Sequence, residues 1–594
     1  MTTPLKLSVI VPTYNRGHIL VSRTLPAIFG QDFPPDEYEA IVVVDGSTDG
    51  TAEMLRGLKP KCAFRILEQP NRGPSVARNL GVASARGEVA LFLDDDIICA
   101  PDVLRHHAEG HAGPEPSVVY GTISLAPETP GSVLKYANES WYKNYYRQLD
   151  SQSGLKWPKD FYLISNSSLP RATLLACGGF DEHLPAKEDY ELGLRLWKMG
   201  VRFLYVPKIQ AYEFFVKPSR FFLHNDGKIY GRAEVLLCRK HPDYRPYSEL
   251  ANLGRISGWK RLRRRIIAQL PVSLAFLVAL PLWLCERLCR FRVMQKAGLR
   301  FLTSGRGIVE LRTEVQEAGS WQALRSEFGQ RLPILLYHHV GAQRLGTISD
   351  LTVSPERFER HVHWLARRGY TGIRPSDWVH WRREGKGLPD KPILLTFDDG
   401  YADLAEYAFP VLRRYGFGAG VFIVTGQLGG TNVWDEARGS ATHRLLTVEQ
   451  IRHWAAQGIE FGAHSRTHAD LTTLSAQRVA EEVIGSRNDL ANLLGSRVAS
   501  FAYPYGFHNQ AVVDCVREAF DLAFIADDQN EGLNYLATNP HLLLRTMVQT
   551  DDSWLDLECR ARWGYNPILN LRARLRLRTR LRRTASYVLG RSKP

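Results

Sequence analysis

Two pairs of side chains in the C-terminal half have the types and spacing of a metal-dependent hydrolytic centre. Asp398 and Asp399 follow an apolar, strand-like run, and His464 and His468 stand four residues apart. That spacing places two imidazoles on one side of a helix or a tight turn. One carboxylate with two imidazoles forms a ligand set that leaves positions open for water and substrate, and Zn²⁺ is typical of such sets. A second carboxylate beside it can take a proton from the water, which is the chemistry of amide hydrolysis.

Three consecutive acids, Asp94, Asp95 and Asp96, form a second group after another apolar run. Adjacent carboxylates repel one another, so a bound cation stabilises them. Carboxylate oxygens suit Mg²⁺ and Mn²⁺. A solvated acidic turn has the same sequence, so this run alone does not decide between the two interpretations.

Short β-branched runs alternate with helical patterns around both groups. The predicted strands are Leu7–Val11, Ala40–Val44, Val89–Leu93, Ile393–Phe397, Gly420–Val424, Glu460–Gly462 and Ala499–Tyr503. The predicted helices include Ile19–Phe29, Ser75–Ala85, Glu356–Arg367 and Val448–Gln457. This alternation indicates α/β domains with largely parallel sheets. Ligands gather at the carboxyl ends of such strands, which is where the acids stand.

The length of 594 residues and the hydrophobic content of 44% fit two folded domains with a connector. The net charge of +14 is concentrated, because residues 255–300 carry +10 and residues 570–594 carry +9, which leaves the remainder near −5. Basic segments beside apolar ones fit an anionic membrane surface better than nucleic acid, which we do not expect as a partner.

Residues 266–285 contain no charge and have basic flanks on both sides. Twenty apolar residues can just span a bilayer, although two prolines weaken the pattern and the symmetric flanks give no orientation. A segment lying on or re-entering the membrane is the favoured interpretation, and a buried helix pair is the alternative. The first residues lack a signal peptide pattern, so we expect the N-terminal domain in the cytoplasm, on the inner face of the membrane. The side on which the C-terminal domain lies stays open.

Five motifs of the N-terminal half resemble glycosyltransferase family 2 in order and spacing over roughly residues 5–240. They are Ser8-Val-Ile-Val-Pro-Thr-Tyr-Asn15, Val43-Val-Asp-Gly-Ser-Thr-Asp49, Asn71-Arg-Gly-Pro-Ser-Val-Ala-Arg78, the acid run Asp94–Asp96, and Glu188-Asp-Tyr-Glu-Leu-Gly-Leu-Arg195 preceded by Gly178-Gly-Phe-Asp. The resemblance implies the GT-A nucleotide-sugar fold and a nucleotide sugar as the donor.

The resemblance also implies roles for individual residues. Asp45 would contact the nucleobase, Tyr14 would stack on it, and Asp189 would be the base that deprotonates the acceptor hydroxyl, with inversion at the anomeric carbon. Such a base must be ionised, as an exposed aspartate is at neutral pH. Asp94 and Asp96 would hold the diphosphate and its Mg²⁺ or Mn²⁺, with Asp96 as a metal ligand.

Arg78 would contact phosphate or base, or form a structural salt bridge. The family's usual His after the last strand is replaced by Tyr212-Glu213, which leaves a third metal ligand open. No Gln-x-x-Arg-Trp occurs near residues 215–235, which favours transfer of single sugars or short chains over polymer extrusion.

The C-terminal half resembles the polysaccharide deacetylase family, carbohydrate esterase family 4 with its NodB-like domain, over about residues 331–550. The matching motifs are Pro333-Ile-Leu-Leu-Tyr-His338, Thr396-Phe-Asp-Asp-Gly400, His464-Ser-Arg-Thr-His468 and Phe501-Ala-Tyr-Pro-Tyr-Gly506. The resemblance implies a distorted (β/α) barrel that releases acetate from N-acetylated sugars.

In this family pattern Asp398 would be the catalytic base, and Asp399, His464 and His468 the ligands of a divalent metal, with zinc favoured. Pro504 and Tyr505 would line the substrate groove. The general acid is assigned to His338, with His339 and His541 as alternatives, and Arg545 would orient the catalytic aspartate. Trp434 and Trp454 could stack on sugars, although core packing is the favoured role.

The sequence thus predicts a transferase domain (residues 1–250), a basic and apolar connector (251–330), a deacetylase domain (331–560) and a basic tail (561–594). Transfer from a nucleotide sugar and deacetylation of an N-acetylated glycan or lipid-linked saccharide would be joined in one chain. The alternative is one active enzyme whose other domain is a silent glycan-binding or scaffolding module. The deacetylase could also act on an amide outside sugars.

Overall fold

The computed structural model describes residues 5–150, 165–216, 221–255, 306–307, 309–341, 351–436, 442–526 and 532–566. The chain forms two compact units, Met1–Lys240 with Trp259–Trp321, and His241–Gly258 with Gln322–Pro594. The predicted connector is therefore divided between the units, and the short helical turns Pro242–Tyr247 and Glu249–Arg255 belong to the second. The apolar segment 266–285 and nearly all of the basic tail lie outside the described residues.

The first unit contains one eight-stranded sheet. Its strands are β1 (Leu7–Thr13), β2 (Tyr38–Asp45), β3 (Ala63–Gln69), β4 (Val89–Phe92), β5 (Ile97–Cys99), β6 (Ser117–Leu125), β7 (Ser167–Pro170) and β8 (Arg202–Glu213). They lie in the order β3-β2-β1-β4-β7-β6-β8-β5. The first four pair in parallel, and β7 pairs antiparallel with both β4 and β6. A mixed sheet with a parallel half confirms the predicted α/β class.

Of the parallel strands, β1, β2 and β4 are buried on both faces, which explains why they read as continuous apolar runs, whereas the edge strand β3 is only partly buried. Every residue of β2 is buried, and β1 continues through Pro12, where the sequence had suggested an end. Helices cover the sheet at residues 17–29 (with a π turn at Leu20–Thr24), Thr51–Arg56, Pro74–Ser84, Val103–Gly110, Val133–Asp150, Arg171–Ala176, Glu188–Lys198 and Gly227–Lys240. The predicted helices Ile19–Phe29 and Ser75–Ala85 are thus confirmed to within two residues at each end.

The second unit is built on a nine-stranded sheet in which every pairing is parallel. Its strands, with the separate pair β10 and β11, are β9 (Ile334–Tyr337), β10 (His339–Val340), β11 (Thr352–Val353), β12 (Thr371–Gly372), β13 (Pro392–Phe397), β14 (Ala419–Ile423), β15 (Glu460–Ala463), β16 (Ser500–Ala502), β17 (Leu522–Ile525), β18 (Leu543–Leu544) and β19 (Thr546–Met547).

The two strands at the opposite edges of this sheet, β18 and β19, are neighbours in the sequence. Eight of its strands run in the order β18-β17-β16-β15-β14-β13-β9-β19, and the ninth, β12, pairs with β13 beside this path. Only Arg545 separates β18 from β19. The chain therefore steps across the seam of a nearly closed barrel in one residue, which confirms the predicted distorted (β/α) barrel.

Helices surround the barrel and bury their apolar faces on it. They are Trp321–Phe328, Pro355–Arg367, Pro375–Glu384, Leu404–Ala408 (a π turn) continued by Phe409–Tyr415, Val433–Glu436, Val448–Ala456, Ala476–Leu494, Gln510–Ala519 and Trp554–Trp563. Single turns of 3₁₀ helix occur at Thr425–Gln427, Leu471–Thr473 and Pro504–Gly506. Among the described helices of the whole chain, none is long and apolar enough to cross a bilayer.

Candidate active sites

The carboxyl ends of β1, β2 and β4 bring the predicted donor-binding residues of the first unit to one edge of the sheet. Tyr14 and Arg16 follow β1, Asp45 ends β2, and the three acids follow β4. Gly46 turns the chain away from β2 with φ +72°, and a Cβ there would come within 2.5 Å of the Asn71 backbone nitrogen. Glycine is therefore required at this turn.

Asp45 is nearly fully buried, and its carboxylate is already held by the protein. It accepts hydrogen bonds from the backbone N–H groups of Arg72 and Gly73, both at 2.9 Å, and from Gln69 Nε2 at 2.7 Å. It thus fixes the loop that leads into helix Pro74–Ser84. Tyr14 is 48% exposed and can receive a stacked ring, so the nucleobase contacts stay predictions for both residues.

Arg78 forms buried ion pairs. Its guanidinium nitrogens lie 2.9 Å from Asp94 Oδ1 and 3.0 Å from Glu188 Oε1. Of the two interpretations of Arg78, the structure shows the salt bridge. Because Glu188 precedes Asp189, this bridge ties the acid run to the predicted catalytic base.

Asp96 is buried next to the guanidinium group of Arg16. Arg16 Nη1 lies 2.9 Å from Asp96 Oδ2 and 3.2 Å from Asp95 Oδ1. Burial and the neighbouring acids outweigh Arg16 and raise the pKa of Asp95 to about 7 and that of Asp96 above its usual range. The clustered negative charge is therefore only partly compensated.

Glu213 stands next to Asp96, at the place where the family's usual His is missing. The Phe214 N–H donates to the Asp96 carbonyl at 2.8 Å, and Tyr142 Oη donates to Glu213 Oε2 at 2.9 Å. Burial, followed by the charge of Asp96, raises the pKa of Glu213 to about 7.

These carboxylates fit Mg²⁺ or Mn²⁺ bound together with a diphosphate, because such ions need only one or two protein ligands when phosphates supply others. Asp94, Asp96 and Glu213 are the side chains that would contribute. In the part of this unit that the structure describes, they do not form a ready group of three close ligand atoms.

Asp189 differs from its prediction in one respect. It was expected to be exposed and ionised, but it is only 6% exposed at the start of helix Glu188–Lys198. Burial, followed by the charge of Glu188, raises its pKa to about 7. The carboxyl group is therefore only partly ionised at neutral pH.

The predicted metal ligands of the second unit come together. Asp399 Oδ1 lies 3.1 Å from His468 Nε2 and 3.5 Å from His464 Nε2. Ligand atoms of the three residues lie within 4.8 Å of one another, and this is the one such group among the described residues. The histidines follow β15 on a tight turn rather than a helix, with φ near +60° at Ser465 and His468.

The surrounding contacts suit a divalent metal ion. His464 Nδ1 donates to the Ala502 carbonyl at 2.8 Å, which leaves Nε2 free to bind a metal. Asp399 Oδ1 is buried beside both imidazoles and accepts no hydrogen bond within the described residues, so it is available to bind a metal. A carboxylate and two imidazoles with open positions form a typical ligand set for a catalytic divalent metal.

Asp398 is held by Arg545, which lies between the two edge strands of the barrel. Arg545 Nη1 and Nη2 lie 2.6 Å and 2.7 Å from its two oxygens, as the sequence predicted. Burial alone would raise the pKa of Asp398, but Arg545, followed by His464, outweighs it, and the pKa lies below its usual range. Asp398 is therefore ionised and oriented at neutral pH.

Of the three histidines that are candidates for the general acid, His338 is the one that lies near the two aspartates. It lines a cavity of about 760 Å³ with Asp398 and Asp399. Burial lowers its pKa, although the two carboxylates act in the opposite direction. His541 does not line this cavity, and its Nε2 lies 2.9 Å from the Phe520 carbonyl. His339 lines the cavity edge, but its Nδ1 is engaged by Asp403 at 2.8 Å.

Aromatic rings frame the metal ligands. Tyr505, with φ +58°, has its ring centroid 4.5 Å from that of His468, and the Trp434 ring stacks on His468 at 4.7 Å. Tyr505 and Trp434 both line the cavity, whereas Pro504 is buried and is not among its lining residues. Trp454 packs on the core residue Phe409. Of the two residues predicted to line the substrate groove, Tyr505 therefore lines the cavity and Pro504 does not.

Sequence reasoning missed Arg16 and Tyr401, and it noted Glu213 only as part of the pair that replaces the family's usual His. Arg16 directly follows β1, so the strand-end rule applied to Asp45 would also have found it. The Tyr401 hydroxyl hydrogen-bonds Asp399, the predicted metal ligand, and Tyr401 is two residues after it in the sequence. No spacing rule links Glu213 to Asp96, because only the pairing of β5 with β8 joins them.

Comparisons with known proteins agree with this division. Residues 8–167 match the sequence model of glycosyl transferase family 2, and residues 385–520 match that of polysaccharide deacetylase.

Three relatives illustrate the two halves. A validoxylamine A glucosyltransferase of Streptomyces hygroscopicus subsp. limoneus is 32% identical over 220 residues, covering 33% of this chain and 48% of the relative. The poly(ribitol-phosphate) β-N-acetylglucosaminyltransferase TarS of Staphylococcus aureus is 37% identical over 106 residues, or 18% of each chain. A poly-β-1,6-N-acetyl-D-glucosamine N-deacetylase of the same species is 23% identical over 183 residues, covering 29% of this chain and 60% of the relative.

Each match covers less than two thirds of the relative's own length. The family matches and the two constellations nevertheless fall on the same two halves of the sequence. The chain therefore joins a glycosyltransferase family 2 domain to a polysaccharide deacetylase domain.

Proposed function

We propose that the chain is a bifunctional carbohydrate enzyme. Its first domain transfers a sugar from a nucleotide sugar to a glycan or lipid acceptor with inversion, and its second hydrolyses the acetamide of an N-acetylated sugar. The observation that carries the proposal is the preassembled group of Asp399, His464 and His468 beside an Asp398 held by Arg545. A silent binding module has no use for a buried, unpartnered carboxylate oxygen among two imidazoles.

In the deacetylase, Asp399, His464 and His468 would hold a divalent cation, favoured as zinc. Such an ion, when bound, supplies Lewis acidity to the acetyl carbonyl and lowers the pKa of water. Asp398, kept ionised by Arg545, takes the proton of the attacking water. His338, across the same cavity, gives a proton to the departing amine. The Tyr505 backbone N–H would stabilise the oxyanion.

In the transferase, Asp94 and Asp96 would hold the diphosphate with Mg²⁺ or Mn²⁺, and Glu213 is placed to add a third carboxylate. Asp189 takes the proton of the acceptor hydroxyl as this oxygen attacks the anomeric carbon from the opposite side. Because Arg78 pairs with both Asp94 and Glu188, it fixes the position of the predicted diphosphate site relative to the base Asp189.

We infer that both domains act on N-acetylhexosamine. Relatives of the two halves are named for transfer of N-acetylglucosamine and for removal of its acetyl group. A deacetylase fused to a transferase gains most when the transferred sugar carries the acetamide. The missing Gln-x-x-Arg-Trp favours transfer of one sugar or a short chain.

The test is acetate release from N-acetylglucosamine oligomers by the full-length protein, with zinc, with a chelator, and as Asp398→Asn. We expect metal-dependent release that falls by about 10²–10⁴ in the variant, as for loss of a general base. Bound metal without acetate release would contradict the proposed substrate class. Absence of both metal and release would favour the silent module.

We further propose that residues 266–285 and the basic tail attach the enzyme to the cytoplasmic face of an anionic membrane. The support is their composition alone, because both lie outside the described residues. Removal of the residues after Asn570 should weaken binding to anionic liposomes, and unchanged binding would refute the role of the tail.

A further inference from the structure

A second cleft adjoins the catalytic cavity of the deacetylase. It has a volume of about 700 Å³, and its lining includes His339, Asp403, Glu406, His443, Arg444 and Glu449. His339 lines both cavities and is their shared wall. A glycan whose acetamide lies at Asp399 therefore has room for a neighbouring sugar beyond His339.

The shared wall carries buried polar atoms without partners. His339 is 2% exposed, its Nδ1 lies 2.8 Å from Asp403 Oδ2, and its ring stacks on Tyr401 with centroids 3.5 Å apart. In the described chain, His339 Nε2, Asp403 Oδ1 and His443 Nε2 have no hydrogen-bond partner. Because a buried polar atom without a partner destabilises the fold, three such atoms together indicate a place for a ligand.

The chemistry of these atoms defines the ligand. Because the Nδ1–H of His339 faces Asp403, the neutral ring presents Nε2 as an acceptor, and Asp403 Oδ1 is an acceptor as well. A ligand at this wall must therefore donate hydrogen bonds.

The net negative charge of the cleft also favours a ligand that donates hydrogen bonds. Its lining has three carboxylates, Asp403, Glu406 and Glu449, against the single guanidinium of Arg444. The three unpartnered residues do not form a close metal-ligand group, since the described chain has such a group only at Asp399. A cationic donor of the size of a sugar fits best.

We propose that this cleft binds an amino sugar with a free ammonium group, next to the sugar whose acetamide is cleaved. The proposal rests on the proposed deacetylase function and specifies its substrate. The ammonium donates to Asp403 Oδ1 and is attracted by Glu449, while a hydroxyl group of the same sugar donates to His339 Nε2. Since deacetylation converts an acetamide into an amine, the product of one cleavage is then the preferred neighbour for the next.

The test is calorimetric binding of two uncleavable ligands to the full-length zinc-loaded protein: a glucosamine tetramer, and the glucose tetramer of the same linkage as the uncharged match. We expect the amino tetramer to bind about tenfold more tightly, which one charge-assisted contact can supply. Asp403→Asn, which keeps shape and removes charge, should reduce this ratio below about threefold.

Glu449→Gln, at the exposed rim, should reduce the ratio about twofold without risk to the fold. The control is Asp390→Asn, an exposed aspartate outside both cavities, which should leave it unchanged. A wild-type protein without preference, or a preference that survives both Asp403→Asn and Glu449→Gln, would overturn the inference. Because binding is measured without cleavage, a failure of acetate release in the same preparation would count against the proposed function separately.

Discussion

The two active sites hold their charges in different ways. In the deacetylase, the ligand atoms of Asp399, His464 and His468 already face one another, and Asp398 has its own arginine. In the transferase, Arg16 and Arg78 pair with the acids at which a metal is expected. A site whose ligands all come from the protein can be complete before substrate arrives. In a site that shares the metal with a diphosphate, protein cations offset part of the negative charge until the nucleotide and metal bind.

The sharpest way to break this comparison is to measure metal binding at each site. We expect the purified protein to retain about one equivalent of zinc, and His468→Ala to remove it together with at least about 10³-fold of deacetylase activity. Mn²⁺ should bind the transferase only when nucleotide is present, as followed by electron paramagnetic resonance.

Asp94→Asn serves as the matched control, because it should leave the zinc content unchanged while weakening nucleotide-dependent Mn²⁺ binding. Tight Mn²⁺ binding without nucleotide would show that the transferase site is also complete in advance.

A second test removes one arginine from each of two similar ion pairs. Arg545→Gln leaves the buried Asp398 charge unpaired and should destabilise the protein by about 3–5 kcal/mol. Arg466, which pairs with Asp489 through two hydrogen bonds of 2.7 and 2.8 Å, is 44% exposed. Arg466→Gln should therefore lose no more than about 1 kcal/mol. Denaturant unfolding measures both changes, and equal losses would refute the distinction between buried and exposed pairs.

The smallest expected effect is a difference in pH dependence. Because the pKa of Asp189 is raised to about 7, its protonated form dominates below that pH and cannot accept a proton. Transferase kcat/KM should therefore fall about tenfold per pH unit below 7, whereas Asp398 stays ionised there.

Glu188→Gln removes the neighbouring negative charge, so it should lower the pKa of Asp189 and move the acidic limb of the transferase profile to lower pH. An acidic limb that does not move would exclude Asp189 as the titrating group.

Much of this arrangement could be predicted from sequence because strand ends determine it. The acids after β4 and β13 follow apolar runs, and the parallel pairing carries them to one edge of each sheet. The exposure of Asp189 was mispredicted, because burial depends on packing around helix Glu188–Lys198 rather than on residue type. The position of Glu213 next to Asp96 and the His339–Asp403 contact were not predicted, because they depend on which strands and turns meet in space.

Because a catalytic side chain is held from the seam of the barrel, deacetylase activity should depend on whether the barrel is closed. Arg545 stands between β18 and β19, which hydrogen-bond to opposite ends of the sheet, and its side chain holds Asp398. Any local opening of the seam withdraws the counter-ion of the base before the rest of the core is exposed. Acetate release should then cease at denaturant concentrations below those of global unfolding, and a chain nicked or permuted near Arg545 would keep its helices but not its chemistry.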